Sequence, residues 1–405
     1  MVDLSRVRVA GPLEPFAAGF ASELVSQGYA PQPAAQQLRL MAHVSRWLAA
    51  EGRRGAALDA ATVEAFVVSR RAAGYSNHLT GNALRPLLVY LRGLGVVAEP
   101  DVLVPDGPVE VALERYRSYL LVERGLSVIT ARVYVEAVRP FLVGRLSSDR
   151  CRLDLHGLRV GDVTAFVVGR CPAQSRGAAK QTTTALRSLL VYLHVVGEIG
   201  LPLAGAVPSV AGWRLAGLPK SLEPDEVQAL LASCDQDTST GRRDFAILTV
   251  LVRLGMRAGE VASLALDDVN WRAGEVMVRG KGDRCERLPL PADVGEVLAV
   301  YLHDRPLAGG QQRALFLRVK APQGSLTSTA VSSVVAAAAR RAGIGVVGAH
   351  RLRHTVAAQM LRAGASLPEI GQVLRHRHMS TTAIYAKLDR GALREIARPW
   401  PGARA

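Results

Sequence analysis

Apolar positions in the first half of this chain return every three or four residues, as in Leu84, Leu87, Leu88 and Leu91. That spacing lines one face of a helix. The pattern also repeats. VEAFVVSRR at 63–71 is answered by VTAFVVGRC at 163–171, and ALRPLLVYLRGLGVV from Ala83 by ALRSLLVYLHVVGEI from Ala185. The stretch around Arg39 to Leu48 matches the one around Arg132 to Leu142 more weakly. The offset is about one domain length, not the ~20–50 residues of a solenoid. Two copies of one small helical domain are expected, separated by AEPDVLVPDGPVE, whose prolines and aspartates mark a linker. Chance similarity among Ala/Leu/Val-rich helices is the rival account; the matched order and near-constant offset weigh against it.

After a connector rich in Pro and Gly, LPLAGAVPSVAGWRLAGLPK, the pattern changes. Helices are predicted over 223–233 and 242–254, the second stopped by Gly255. A short helix, AGEVASLAL, begins just after Arg257. EVMVRGKGDRCERLPLP reads as a hairpin, two β-prone runs around a GKGD turn. Further helices are predicted over 292–304, 328–342 and 350–363, the last ended by Gly364. Ser366 and Glu369 form a capping box with Pro368 in the first turn of the next helix, and Thr381 is placed to cap a final short helix holding Tyr385. The fold class expected is mainly α with a small β-sheet (α+β). The domains are expected at 1–105, 106–205 and 206–405.

Charge adds a partner. The formal net charge is +15, which points to a polyanion, most simply nucleic acid; an arginine-rich proteome is the bland alternative. Lysine occurs only at Lys180, Lys220, Lys281, Lys320 and Lys387, so each surviving lysine is informative. The cysteines Cys151, Cys171, Cys234 and Cys285 are scattered with no CxxC pair, which disfavours a disulfide framework or zinc ribbon. The N-terminus lacks the apolar core of a signal peptide, and no run of about 18 uncharged apolar residues suggests a membrane span. A cytoplasmic location, nucleoid-associated when acting on DNA, is expected, with no membrane partner.

The chemistry concentrates in HRLRHTVAAQMLRAGASLPEIGQVLRHRHMSTTAIY, from His350 to Tyr385. Histidines this dense suggest a metal, and arginines this dense suggest phosphate. His350 and His354 share a helix face, but no glutamate stands between them as a zincin requires. Arg351, Arg353, Arg375 and Arg377 flank the histidines, a poor setting for a divalent cation. No metal and no cofactor are expected. The phosphate reading is coherent: His350 and Arg353 also share a face, a guanidinium grips two phosphate oxygens, and imidazole moves protons beside them. The Tyr385 hydroxyl can attack phosphorus where enough positive charge surrounds the transition state.

Read together, LGMRAGEVASLALDDV, RGKGDRCERLPL, HRLRH and VLRHRHMSTTAIY resemble the four boxes of the tyrosine recombinases, the phage-integrase family that includes the Xer-type enzymes. The resemblance covers about residues 215–390 with all boxes in order. It implies that the helical copies are SAM-like core-binding domains, the first a divergent repeat, and that the remainder is the catalytic domain. It also implies an active site of Arg257, Lys281, His350, Arg353 and His376 with Tyr385 as nucleophile. The implied reaction is site-specific recombination through a 3′-phosphotyrosyl link and a Holliday junction, without ATP or metal, as an integrase, transposase or resolvase. The partners implied are double-stranded DNA recombination sites and a homotetramer, or a heterotetramer with a related recombinase.

Lysine, unlike arginine, can give up a proton, so Lys281 on a hairpin tip suits the acid that protonates the leaving 5′-oxygen. His350 is a candidate to accept the tyrosine proton and His376 to bond a phosphate oxygen. Glu260 is expected to orient Arg257 or cap its helix, His354 to be structural, and Arg377 and His378 to face solvent or DNA. The sequence departs from the family at Arg375, where glycine is usual, and at Leu254, where threonine is usual. Arg375 is expected either to add a phosphate contact or to alter the helix end. A DNA-binding protein on a degenerate recombinase scaffold and a type IB topoisomerase-like relaxing enzyme are the rival readings. The intact residue set weighs against the first and the Xer-like spacing against the second.

Overall fold

The computed structural model describes residues 7–99, 106–149, 151–211, 221–280, 285–305, 313–376 and 378–388. By compactness the chain divides into one unit of residues 100–216 and another that joins 1–99 to 217–405.

Each helical copy contributes four helices among the described residues. In the first these are α1 (Ala17–Ser26), α2 (Pro31–Ala50), α3 (Ala60–Ala72) and α4 (Arg85–Gly93). In the second they are α5 (Pro108–Val122), α6 (Val128–Val143), α7 (Val160–Arg170) and α8 (Arg176–Val195). The residues that set the repeat are the ones buried. Val63, Phe66, Val67, Leu84, Leu87 and Leu91 lie in one apolar core, and Val163, Val167, Leu186, Leu189 and Leu193 in another. Caps fix the helix starts: the Asp59 side chain accepts from Thr62 N, Ser127 from Thr130 N and Ser175 from Ala178 N. A backbone bond from Gln323 N to Gln27 O, 2.9 Å, links the first copy to the C-terminal region.

The C-terminal region carries α9 (Pro224–Ala232), α10 (Ser239–Leu254), α11 (Ala258–Ser263), β1 (Val269–Asn270), β2 (Glu275–Arg279), β3 (Cys285–Pro289), α12 (Ala292–His303), α13 (Ser328–Arg341), α14 (Ala349–Arg362), α15 (Leu367–Val373) and α16 (Met379–Thr382). The three strands form one antiparallel sheet in order, Val276 pairing Val269 on one side and Leu288 on the other. β1 goes beyond the expected hairpin. Val276, Val278 and Leu288 turn inward to a core built on α10, whose residues 246–252 are almost all buried. Gly255 ends α10 at φ +57°, where a side chain would be strained, and a Cβ there would stand 2.6 Å from Leu374. The final expected helix is different in detail: Thr381 lies inside α16 rather than at its cap, and Tyr385 sits on the 3₁₀ turn Ala383–Leu388. All four cysteines are free. Among the described residues no helix is long and apolar enough to cross a membrane.

Candidate active site

The turn that holds Tyr385 packs against α14 and the α15 segment, and the start of α11 joins them through the Glu260–Arg375 pair. Their meeting follows from packing. Val356 and Ala357 of α14, Ile370 and Leu374 of the α15 segment, and the Tyr385 ring form a small apolar core of their own. Tyr385 is 1% exposed, so its ring is fixed and its hydroxyl needs a partner.

That partner is His354, whose Nδ1 lies 2.8 Å from Tyr385 Oη. His350 lies beside His354, ring centroids 4.4 Å apart, rather than on the tyrosine. The His376 ring stacks parallel to Tyr385 with centroids 6.3 Å apart, and its Nδ1 lies 2.7 Å from Thr382 Oγ1. Burial drives the proton affinities. It pushes the Tyr385 phenol up to about 12, the nearby Arg353 charge pulling the other way. Burial, then His350 and Arg353, pushes His354 down to about 4. Burial, then Arg353 and Arg257, does the same to His376. His350 is lowered by lost solvent on its inner side and then by Arg353 and Arg257. At neutral pH the site therefore holds a protonated phenol hydrogen-bonded to a neutral imidazole.

The cations are organised around one carboxylate. Arg257 caps α11, with its backbone N–H 2.8 Å from Glu260 Oε2 and its Nη1 2.5 Å from Glu260 Oε1. Arg375 Nη2 donates to Glu260 Oε2 at 2.8 Å. Burial alone would raise the Glu260 carboxyl; the Arg257 N–H and the charges of Arg375 and Arg257 outweigh it and hold it below its ordinary value. Both roles weighed for Glu260, orienting Arg257 and capping its helix, are therefore filled at once. The Arg257 side chain remains 44% exposed and can reach a ligand.

Arg353 is buried, 1% exposed, and donates Nη1 to Gly255 O at 2.6 Å and Nη2 to Leu374 O. It ties α14 to the ends of α10 and α15. Burial, and then Arg257, lowers its pKa to about 10, so it keeps its charge at neutral pH. Arg375 follows α15 with φ +55°, the left-handed region that favours glycine. Of the two expectations for Arg375, it is the helix end that this backbone alters; its side chain turns inward to Glu260 and is 4% exposed.

Arg257, His350, Arg353, His376 and Tyr385 are thus gathered in one place. Lys281 lies outside the described residues, as does Arg377. His354 and Arg375 are the functional candidates that sequence reasoning undervalued. The only hint for His354 was its spacing, one turn beyond His350 on the same face. Among the described residues no group of three or more His, Cys, Asp or Glu side chains is placed to hold a metal ion.

Residues 220–391 match the phage integrase family. A protein described as an integrase/recombinase in Sinorhizobium fredii is 41% identical over 97% of this chain and 95% of its own length. The tyrosine recombinase XerD of Mycobacterium tuberculosis is 32% identical over 72% of this chain and 96% of its own length. The fold is shared with the XerH site-specific recombinase bound to difH substrate, at a TM-score of 0.54 and 21% identity, over 70% of this chain and 82% of that one. It is shared likewise with a lambda integrase dimer bound to a COC′ core site, at 0.53 and 18%, over 73% and 98%.

Proposed function

Because this chain belongs to the phage integrase family and is a site-specific tyrosine recombinase, we propose that it breaks and rejoins duplex DNA through Tyr385. The phenol oxygen attacks the scissile phosphorus while its proton passes to His354. An Oη–P bond forms and the P–O5′ bond breaks, leaving a 3′-phosphotyrosyl link and a free 5′-hydroxyl. Lys281 supplies the proton the 5′-oxygen needs. A 5′-hydroxyl from a partner duplex then reverses the step and yields a Holliday junction. One phosphoester is exchanged for another, so no ATP is needed, and guanidinium groups supply the charge stabilisation that a metal gives elsewhere. Arg257 binds a non-bridging oxygen; Arg353 supplies buried charge and holds the segments together; His350 and His376 complete the phosphate site.

The observation that carries this reading is the 2.8 Å contact between Tyr385 Oη and a neutral imidazole, with the Arg353 charge nearby. The three large apolar cores support a division into a first helical repeat, a core-binding domain and a catalytic domain near the boundaries 1–105, 106–205 and 206–405. The assembly proposed is a tetramer on two DNA sites, in the cytoplasm at the nucleoid, as an integrase, transposase or resolvase. The test is covalent trapping on a nicked suicide duplex taken from DNA flanking the gene. A protein–DNA adduct that vanishes in Tyr385→Phe is expected. An adduct that persists in the variant would remove Tyr385 as nucleophile.

A further inference from the structure

The first helical copy is not a plain duplicate of the second. In the second copy α8 runs unbroken from Arg176 to Val195. In the first copy the matching segment is broken. Gly74 at φ +77° stops α3, His78 stands at φ +57°, and Pro86 confines α4 to a start at Arg85. The loop this creates folds against α2 and α3 and leaves a hollow of about 430 Å³ lined by Gln36, Arg39, His43, Arg70, Asn77 and His78.

This lining contains no acid, and none of its cations has a carboxylate partner among the described residues. Arg70 is the telling member. It is 8% exposed, lies 4.0 Å over the Tyr75 ring, and donates Nε to Asn77 O at 3.0 Å. Its two terminal amino groups make no hydrogen bond among the described residues. Those groups reach solvent and are free to take a ligand. His43 reports the field: burial first, then Arg70 and Arg46, push its pKa below the ordinary value. The second copy treats the same helix face differently. Where the repeat aligns Arg39, His43 and Arg46 with Arg132, Glu136 and Arg139, Arg139 is paired with Glu110 and Glu136. There Arg132 also shares its hollow with Glu110, Glu114 and Glu136, whereas no acid lines the hollow of the first copy.

We propose that the hollow between α2, α3 and the 75–80 loop binds a backbone phosphate of duplex DNA, giving the first copy a contact separate from the chemistry at Tyr385. The planar fork of Arg70 takes two phosphate oxygens, with Arg39 at the rim and Asn77 and Gln36 offering amide donors. Such a contact positions the protein and reads no sequence.

The test uses the full chain and a random-sequence duplex, with affinity followed by fluorescence anisotropy across a salt series. Arg39 is exposed, so Arg39→Gln leaves the fold intact, as a melting curve will verify. Loss of one phosphate contact lowers the slope of log K against log salt by about one and the affinity roughly five- to tenfold near 0.1 M salt. Arg54→Gln, an equal change of charge on the same copy outside the hollow, is expected to move neither. Equal effects of the two variants would reduce the site to net charge and overturn it, as would no effect of Arg39→Gln on a wild type that binds. A wild type that binds no duplex would overturn the hollow and the DNA-acting reading together. An Arg39→Gln chain that binds weakly but still forms the Tyr385 adduct at saturation separates the two.

Discussion

The two arginine clusters of this protein use the same side chain in opposite ways. Around Tyr385, Arg257 and Arg375 share Glu260, and Arg353 is spent on two backbone carbonyls. In the first helical copy, Arg39 and Arg70 face a hollow with no carboxylate at all. Chemistry at phosphorus needs charge held within a fraction of an ångström, so there the cations are locked and their self-repulsion is relieved by one shared anion. Holding a DNA backbone needs charge but tolerates several positions, so there the cations are left open.

The largest effect should come from unlocking the catalytic cluster. Arg353→Ala strands the carbonyls of Gly255 and Leu374 in a buried place, and denaturant titration should show a loss on the order of 3 kcal/mol together with loss of the covalent adduct. A variant as stable as wild type would mean that Arg353 is not the tie we describe. Glu260→Gln comes next: Arg257 and Arg375 then face each other without a counter-charge, and cleavage should fall roughly tenfold to a hundredfold while DNA affinity holds.

Arg375→Gly should be milder. It removes a buried ion pair, which outweighs the relief of about 1 kcal/mol of left-handed strain, so denaturant titration should show a moderate loss of stability while the cleavage rate drops about tenfold. Unchanged cleavage would show that Glu260 needs only Arg257.

The pH dependence separates the clusters further. His354 and His376 lie near pKa 4 in the fold, against an ordinary value near 6.5. The unfolded chain binds their protons first, so their stabilising contribution is complete above about pH 6.5 and lost as pH falls toward 4. Melting temperatures at pH 7, 5.5 and 4.5 should fall accordingly, and less steeply in His376→Asn. The smallest effect is expected from His43→Glu, which copies the second repeat's Glu136: DNA affinity should weaken a few-fold while the adduct formed at saturation is unchanged.

Much of this protein was set by local sequence. The duplicated helices follow from apolar periodicity, the end of α10 from Gly255, the β2–β3 hairpin from two β-prone runs, and the start of α15 from Ser366 and Glu369. These features depend on neighbours within a turn or two of chain. The gathering of Arg257, His350, Arg353, His376 and Tyr385 was legible only through the ordered boxes of a family, since no local rule brings residues so far apart in the chain to one point. What the tertiary structure alone decided is which partner each group takes. Tyr385 Oη pairs with His354 rather than His350 because burying the ring between α14 and α15 aims its hydroxyl there. Arg375 turns inward because Glu260, 115 residues away in sequence, offers a buried anion. The open hollow exists because a loop replaces the first turns of a helix and no acid folds over it. Pairing energies depend on distance and burial, and a linear pattern carries neither.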